Sequence, residues 1–598
     1  MRSKRQGGRR HPTVRRKVSF TIAGPNGGLI TVDCCGSRFL RACFRGIFAI
    51  FEEFVMPKSG TQTAGLDHHA KKLAVGFAKG RLPQPTPELE RFLLSNNTEI
   101  FAASQGVCRH MPPAGDDEPL GIAYLFLLQM LLAGLNERAK RGAKDAAELI
   151  ARFQSDLAAR VEDGEIEGTL LAYLGGALQQ AGIAASPELA AVSAELVDED
   201  DDDLLPGDIG QVLDEMLEAC DGDPFELVSS FAQGAHLLPD EAKVALVTLL
   251  AQHEQSDARA AAVLFLQNAS AAVRKEAARV LAERASTLSP VDLRRVIALR
   301  NWRPERERAA VDAIIQKARA AGVDCAPWDK GAVDELKSSP IDGSGAQLLL
   351  AVSPVDRKTK RMSTIFTGNG ITEAMTGPPQ PVPTVKKTVA EIGTHGPVLD
   401  VSRAFIDRMI AHHLALTVKA GDAPPAGLLE VAETIGGAAW QPERIDCRAA
   451  LDALIADLPD DLRDPDDVAQ ALADSGEISE LDEIEGSWFE DDAELEQKVK
   501  SASQRAREKL PAKLLQDNGA IGAQRERWAQ LFVLTALWMR EGPPGEWLSW
   551  ADLAVVARAV LDGHDLSKIG LMRNIADRTV AALAREDDDE DDLQDDLF

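Results

Sequence analysis

Residues 273–281 read Val-Arg-Lys-Glu-Ala-Ala-Arg-Val-Leu. Val273, Ala277 and Leu281 fall at i, i+4 and i+8, on one face of a helix, with the small Ala278 beside them. Fifteen residues earlier the same template stands as Ala258, Arg259, Ala262, Val263 and Leu266. Thirty-two residues later it returns as Arg306, Ala309, Ala310 and Ala313. Short helices joined by tight turns pack as antiparallel neighbours, and alanines let their backbones approach closely. The stretch from Pro239 to Gly322 is therefore predicted to hold at least four consecutive antiparallel helices, with Val273, Ala277, Leu281 and Ala309 buried between them.

This block resembles HEAT repeats, whose second helix carries a Val-Arg-x-x-Ala-Ala-x-x-Leu pattern. The likeness covers roughly 85 of the 598 residues, with a period shorter and less regular than usual. The resemblance implies stacked helix pairs and an α–α superhelix; an ordinary alanine-rich bundle is the other reading of the same residues. The fold class expected is mainly α, with HEAT-like segments and a small inserted β-meander.

The meander lies just beyond the block. Helical patterning stops near Cys325-Ala326-Pro327-Trp328, and three extended runs follow at Gln347–Val352, Met362–Phe366 and Ile371–Met375. Gly368-Asn369-Gly370 supplies the turn chemistry that joins the last two. The proline-rich run from Thr376 to Pro383 reads as a stiff extended connector.

These signals divide the chain into a basic extension at 1–55, a helical domain at 56–197, an acidic linker at 198–208 and the repeat block at 209–325. The meander and connector occupy 326–384, a C-terminal helical domain 385–585 and an acidic tail 586–598. The extension carries eight bases before its first acid, Asp33, and pairs a hairpin pattern (Val18–Ile22, Leu29–Val32) with spaced phenylalanines. It reads as a membrane-surface helix, a nucleic-acid arm, or residues preceding a natural start at Met56. Trp528, Trp538, Trp547 and Trp550 cluster near the C-terminus, with Leu531, Leu534 and Trp538 on one stripe, which suggests a compact core.

Composition sets outer bounds. Aromatics make up 5% and the formal net charge is −28, which opposes sequence-independent binding to phosphate backbones unless bases gather on one face. Seven cysteines without a CxxC point to reduced thiols and a cytoplasmic setting rather than a disulfide framework or zinc ribbon. The most apolar run, Leu120 to Leu135, is shorter than a membrane span and interrupted by Gly121, Gln129 and Gly134, so it reads as a buried core helix with Asp116 and Asp117 capping its start. No integral membrane association is expected.

No arrangement of residues predicts catalysis. His68-His69 and His412-His413 are adjacent pairs, which on a helix point about 100° apart, one inward and one to water. Cys108, Cys447 and the Gly343-Ser344-Gly345 turn lack the partners and frame of a nucleophile. No phosphate loop or EF-hand spacing is present. The expected catalytic, metal and cofactor residues are therefore none.

Charge layout is the stronger signal. Between Arg259 and Arg308 stand eleven bases and five acids, a local +6 inside an acidic chain. Arg274, Arg294, Arg295 and Arg303 are the candidates for a partner-binding basic face, set against the alternative that they are ordinary surface charges. The final Gln594-Asp595-Asp596-Leu597-Phe598 resembles the pentapeptide by which bacterial replication and repair proteins dock on the sliding clamp. That resemblance implies Gln594, Leu597 and Phe598 as anchors, with Asp595 standing where the family carries a small or apolar residue. The leading expectation is a non-enzymatic helical-repeat protein with a protein partner. The alternative is a nucleic-acid-associated protein that binds through the basic block and is recruited by its terminal peptide.

Overall fold

The computed structural model describes residues 65–595, with breaks at 79–85, 113–116, 141, 200–212, 215, 221, 235–239, 330, 395, 437–439, 459–461, 463, 479–480, 482–483 and 544–548, and before them residues 19–23 and 29–33. The first pair forms an antiparallel hairpin, β1 (Ser19–Ala23) with β2 (Leu29–Asp33), in the register Thr21↔Thr31. The rest of the basic extension, the acidic linker after Glu199, and the side chains of Gln594, Leu597 and Phe598 lie outside the described residues.

Among the described residues seven helices make the N-terminal module: α1 (Leu66–Phe77), α2 (Pro87–Ser95), α3 (Ile100–His110), α4 (Glu118–Lys140), α5 (Lys144–Glu162), α6 (Gly168–Gln180) and α7 (Pro187–Glu199). Helix α4 is the expected buried helix. It is long and apolar enough to cross a membrane, yet α1, α2, α3, α5 and α6 pack around it and most of its apolar window is buried. Asp117 caps it by accepting from the Leu120 amide. At Gly106 helix α3 meets the Tyr124 ring so closely that a Cβ would lie 2.4 Å from it. Only glycine permits that approach.

The central array runs through α8 (Pro224–Gly234), α9 (Asp240–Gln252), α10 (Ser256–Leu264), α11 (Ala271–Glu283), α12 (Pro290–Asn301) and α13 (Glu305–Ala320). Alternate helices lie side by side, α8, α10 and α12 in one layer and α9, α11 and α13 in the other. Local chemistry starts these helices: the Ser270 side chain accepts from the Val273 amide, and Ser289 forms a capping box with Asp292 behind Pro290. Val273, Ala277 and Leu281 are buried as expected, and so are Ala258, Ala262, Val263 and Leu266. Ala309 is not. The third copy of the template is turned outward, with Arg306, Ala309 and Ala310 exposed, while Val311, Ile314, Ile315 and Ala318 face the core. Burying valine and isoleucine removes more apolar surface from water than burying alanine, so the branched residues set the rotation of α13.

A sheet follows: β3 (Glu335–Ser338), β4 (Gln347–Pro354), β5 (Thr359–Gly368), β6 (Gly370–Thr376), β7 (Gln380–Pro381) and β8 (Leu399–Asp400). Its order is β6-β5-β4-β3-β8, all antiparallel, with β7 attached to β5. The expected meander is β4-β5-β6; the two flanking strands are too short to show as periodic runs. The connector is another difference. Gln380–Pro381 pairs with the sheet, and α14 (Val382–Ile392) begins at once, with Pro383 in the first turn where a missing N–H breaks no helical bond. The domain break expected after 384 thus falls inside α14, and β8 returns to β3 beyond it. One sheet face, through Leu349, Ala351, Ser363 and Ile365, meets Ile406, Val431 and Ile435 of α15 (Arg403–Ala420) and α16 (Gly427–Ile435).

The C-terminal module comprises α17 (Cys447–Ala456), α18 (Pro465–Asp474), α19 (Ala493–Lys500), α20 (Gln504–Arg507), α21 (Leu510–Leu514), α22 (Arg525–Met539), α23 (Trp550–Leu561) and α24 (Gly570–Asp595). Helix α22 buries Trp528, Leu531, Phe532, Leu534 and Trp538 in its centre. The N-terminal module has a core of its own, whereas array, sheet and C-terminal module share one continuous core. Buried indoles fasten the sheet to that last module: Trp538 Nε1 donates to the Ser338 carbonyl at 3.0 Å and Trp488 Nε1 to the Ile341 carbonyl at 3.3 Å.

Candidate functional site

All four arginines singled out from the sequence are buried. Arg274 grips Glu307 through Nε (2.9 Å) and Nη2 (2.6 Å), and its Nη1 donates to the Asn268 and Ala269 carbonyls. That pair fixes the starts of α11 and α13 at the same end. Arg294 and Arg295, neighbours on α12, converge on Glu433 of α16: Arg294 Nη2 donates at 2.7 Å, and Arg295 Nε and Nη2 each at 2.9 Å. Arg294 also donates to the Pro327 carbonyl, and the two guanidinium groups lie over Trp328 and Phe225 at 4.7 and 4.9 Å. Burial pushes the Glu433 carboxyl up, but Arg295 and Arg294 outweigh it and hold it below the usual range.

Arg303 differs from the other three. It is 1% exposed, and none of its three guanidinium nitrogens has an acceptor. Burial and the nearby Arg274 pull its pKa down to about 9, against the opposing pull of Glu307. Together with the Gln267 side chain, which donates to the Pro424 and Pro425 carbonyls, and Trp302 Nε1, which donates to the Trp440 carbonyl at 2.9 Å, these residues seat the array on the α15–α16 region. None of the four arginines is the exposed partner face expected: Arg294 and Arg295 bind the array to α16, Arg274 joins two helices of the array, and Arg303 is buried without an acceptor. The sequence could not reveal this, because Glu433 lies 138 residues from Arg295.

The free positive charge is elsewhere. Lys275, Arg284, Arg306, Lys317 and Arg319 are exposed on α11, α13 and the turn after α11, and none forms an ion pair among the described residues. Between them lie the exposed Ala272, Ala309 and Ala310. An open depression of about 510 Å³ adjoins this face, lined by Pro304, Glu305, Arg306, Val418, Lys419 and Gly421. Of these bases, Lys275 and Arg306 lie within the Arg-x-x-Ala-Ala template, whose copy on α13 was read with the wrong side facing inward, whereas Lys317 and Arg319 lie beyond the stretch ending at Arg308 and carried no such signal.

The remaining candidates are structural. His69 is buried against Phe92 and His68 is exposed, as adjacent helical residues should be. His412 and His413 break that rule, because α15 is enclosed by the sheet on one side and the C-terminal module on the other. His413 Nδ1 donates to the Gly368 carbonyl at the β5–β6 turn, and the next helical turn's Thr417 accepts from the Ile371 amide. His412 Nδ1 accepts from the Ile445 amide, and its Nε2 meets the Gln530 amide at 3.2 Å. Burial, then neighbouring positive charge, pushes the two rings down to about 4 and about 3, so both are neutral near pH 7. Burial likewise raises the Cys447 thiol to about 11 and raises that of Cys108, which removes thiolate character from both. Ser344 is exposed and bonded to Asp342, while Gly343 is pressed against the Ser487 carbonyl. Among the described residues no group of three or more His, Cys, Asp or Glu is disposed to hold a metal ion.

Two family models match parts of the chain: the Y4lR second domain over residues 239–322 and the Y4lR C-terminal helical domain over residues 448–584. Both stretches are similar to the Y4lR family. The first spans α9–α13 and the second runs from α17 to the packed part of α24. No curated protein and no solved structure matches the chain.

Proposed function

We propose that the chain is a non-enzymatic, cytoplasmic interaction protein whose HEAT-like array presents one face to another macromolecule, a protein partner first. One observation carries the reading. The array seats one side on α16 through Arg294, Arg295 and Glu433, and on the outward side of α11 and α13 five exposed bases stand among small alanines with no ion pair among the described residues. Small side chains allow a partner helix to approach closely, and unpaired charge at a rim gives orientation and faster encounter more than affinity. The cytoplasmic setting is supported by Cys108, Cys325 and Cys447, which are free thiols among the described residues.

The same five bases favour a second reading, nucleic-acid association with recruitment through the clamp-like terminal peptide. Placing a photo-crosslinking residue at Lys317, with Glu148 of the N-terminal module as control, separates the two. The expected result is a protein adduct from position 317 alone, abolished by Lys275→Glu with Arg306→Glu and rebuilt with the purified partner. An adduct only to nucleic acid moves the conclusion to the second reading. Equal labelling from both positions removes the assigned face.

A further inference from the structure

We infer that the outward face of α11 and α13 is a receptor for an acidic helix, and that this helix is the C-terminal end of α24 from a second copy of the chain. The inference rests on the interaction reading above and names its partner. The Arg274–Glu307 pair aligns the starts of the two helices, so Lys275 and Arg306 mark one end of the face and Arg284, Lys317 and Arg319 the other. At about 1.5 Å rise per residue, these ends stand roughly 14–20 Å apart. A complementary helix therefore needs charge over about ten residues, the number that spans ~15 Å.

Among the described residues one helix meets this requirement. Residues 586–595 are ten consecutive residues of α24, eight of them Asp or Glu. Upstream, Leu571, Met572, Ile575, Ala576, Val580 and Leu583 anchor α24 in the C-terminal module. Its principal packing partners among the described residues, α18, α19 and α21 with short 3₁₀ turns, all belong to that module, and none is in the array. A continuous helix carries its last turns along the axis those anchors set and does not fold them back, so the complementary surface is found on another molecule. Phosphate backbones fit less well. Glu276, Glu283, Glu305 and Asp312 are interspersed among the bases, and the sole aromatic of α11–α13, Trp302, is buried, leaving nothing for a base to stack on.

The test is sedimentation of the full chain at low and high salt. Three variants accompany it: Lys275→Glu/Arg284→Glu/Arg306→Glu/Lys317→Glu, replacement of the acids at 586–592 by Asn, and their replacement by Lys. Wild type should self-associate at low salt and dissociate at high salt. Because one exposed ion pair changes an equilibrium by a factor of roughly two to five, the base-reversed and Asn variants should associate at least about tenfold more weakly. Mixing the base-reversed chain with the Lys-tailed chain should restore a complex that neither forms alone. A wild type that stays monomeric at low salt, whether bare or closed on its own tail, overturns the proposal, as does association that the variants leave intact. Neither result touches the crosslinking outcome at Lys317, so failure here and failure of the broader reading are distinguishable.

Discussion

Helices α12 and α13 are consecutive, similar in length and rich in arginine, yet they use that charge in opposite ways. Helix α12 turns Arg294 and Arg295 into the molecule, where Glu433, the Pro327 carbonyl and two aromatic faces receive them. Helix α13 leaves Arg306, Lys317 and Arg319 exposed, with no salt bridge among the described residues. Charge density along the chain is thus no guide to charge on the surface. In a two-layered array, the layer a helix joins decides whether its arginines bind the protein or face a partner. The buried set should govern stability and the exposed set association.

The sharpest way to break that contrast is Glu433→Ala. It strands two buried guanidinium groups, and losing one side of a buried charged network costs about 3–5 kcal/mol. Denaturant unfolding should show this loss, with Arg294→Met/Arg295→Met/Glu433→Leu recovering much of it. If Glu433→Ala is nearly silent, the interface is not held as described.

Acid tests the same enclosed region. His412 and His413 ionise at about 4 and about 3 when folded, against 6.5 when free. The unfolded chain therefore binds more protons as pH falls below 6.5, and stability present above that value is lost toward pH 4, in the direction shared by the depressed carboxyls of Glu433 and Glu307. Between pH 6.5 and about pH 5 the loss should approach about 2 kcal/mol per histidine. His412→Gln/His413→Gln should flatten that slope, as measured by unfolding at several pH values.

Arg303 should respond the other way. Its charge is buried without an acceptor, so Arg303→Met is expected to stabilise by about 1–3 kcal/mol, read as an upward shift in melting temperature. A clear loss of stability would mean that the guanidinium has an acceptor after all. The smallest effect belongs to the exposed face: Lys275→Ala and Lys317→Ala should leave the melting temperature within about 1 °C of wild type while weakening association.

Much of the architecture was legible because it depends on neighbours in sequence. The Ser270 and Ser289 caps, the apolar run of α4 and the Gly368-Asn369-Gly370 turn each act within a few residues, and each stands where local chemistry puts it. The short strands β3 and β8 were not legible, since a two-residue strand such as Leu399–Asp400 exists only through its partner. The candidate face was half legible. Its composition was plain, and its membership was wrong at Arg274, Arg294, Arg295 and Arg303.

The sequence by itself determined where α11 and α12 begin, that α4 is a core element, and that the region from 259 to 308 is locally positive. Capping, periodicity and composition are properties of adjacent residues. Only the tertiary structure decided which arginines are surface, that both His412 and His413 are enclosed, and which way α13 faces. Those outcomes depend on Glu433, the sheet and the C-terminal module, which are remote in the chain and come within hydrogen-bonding reach only when the shared core has formed.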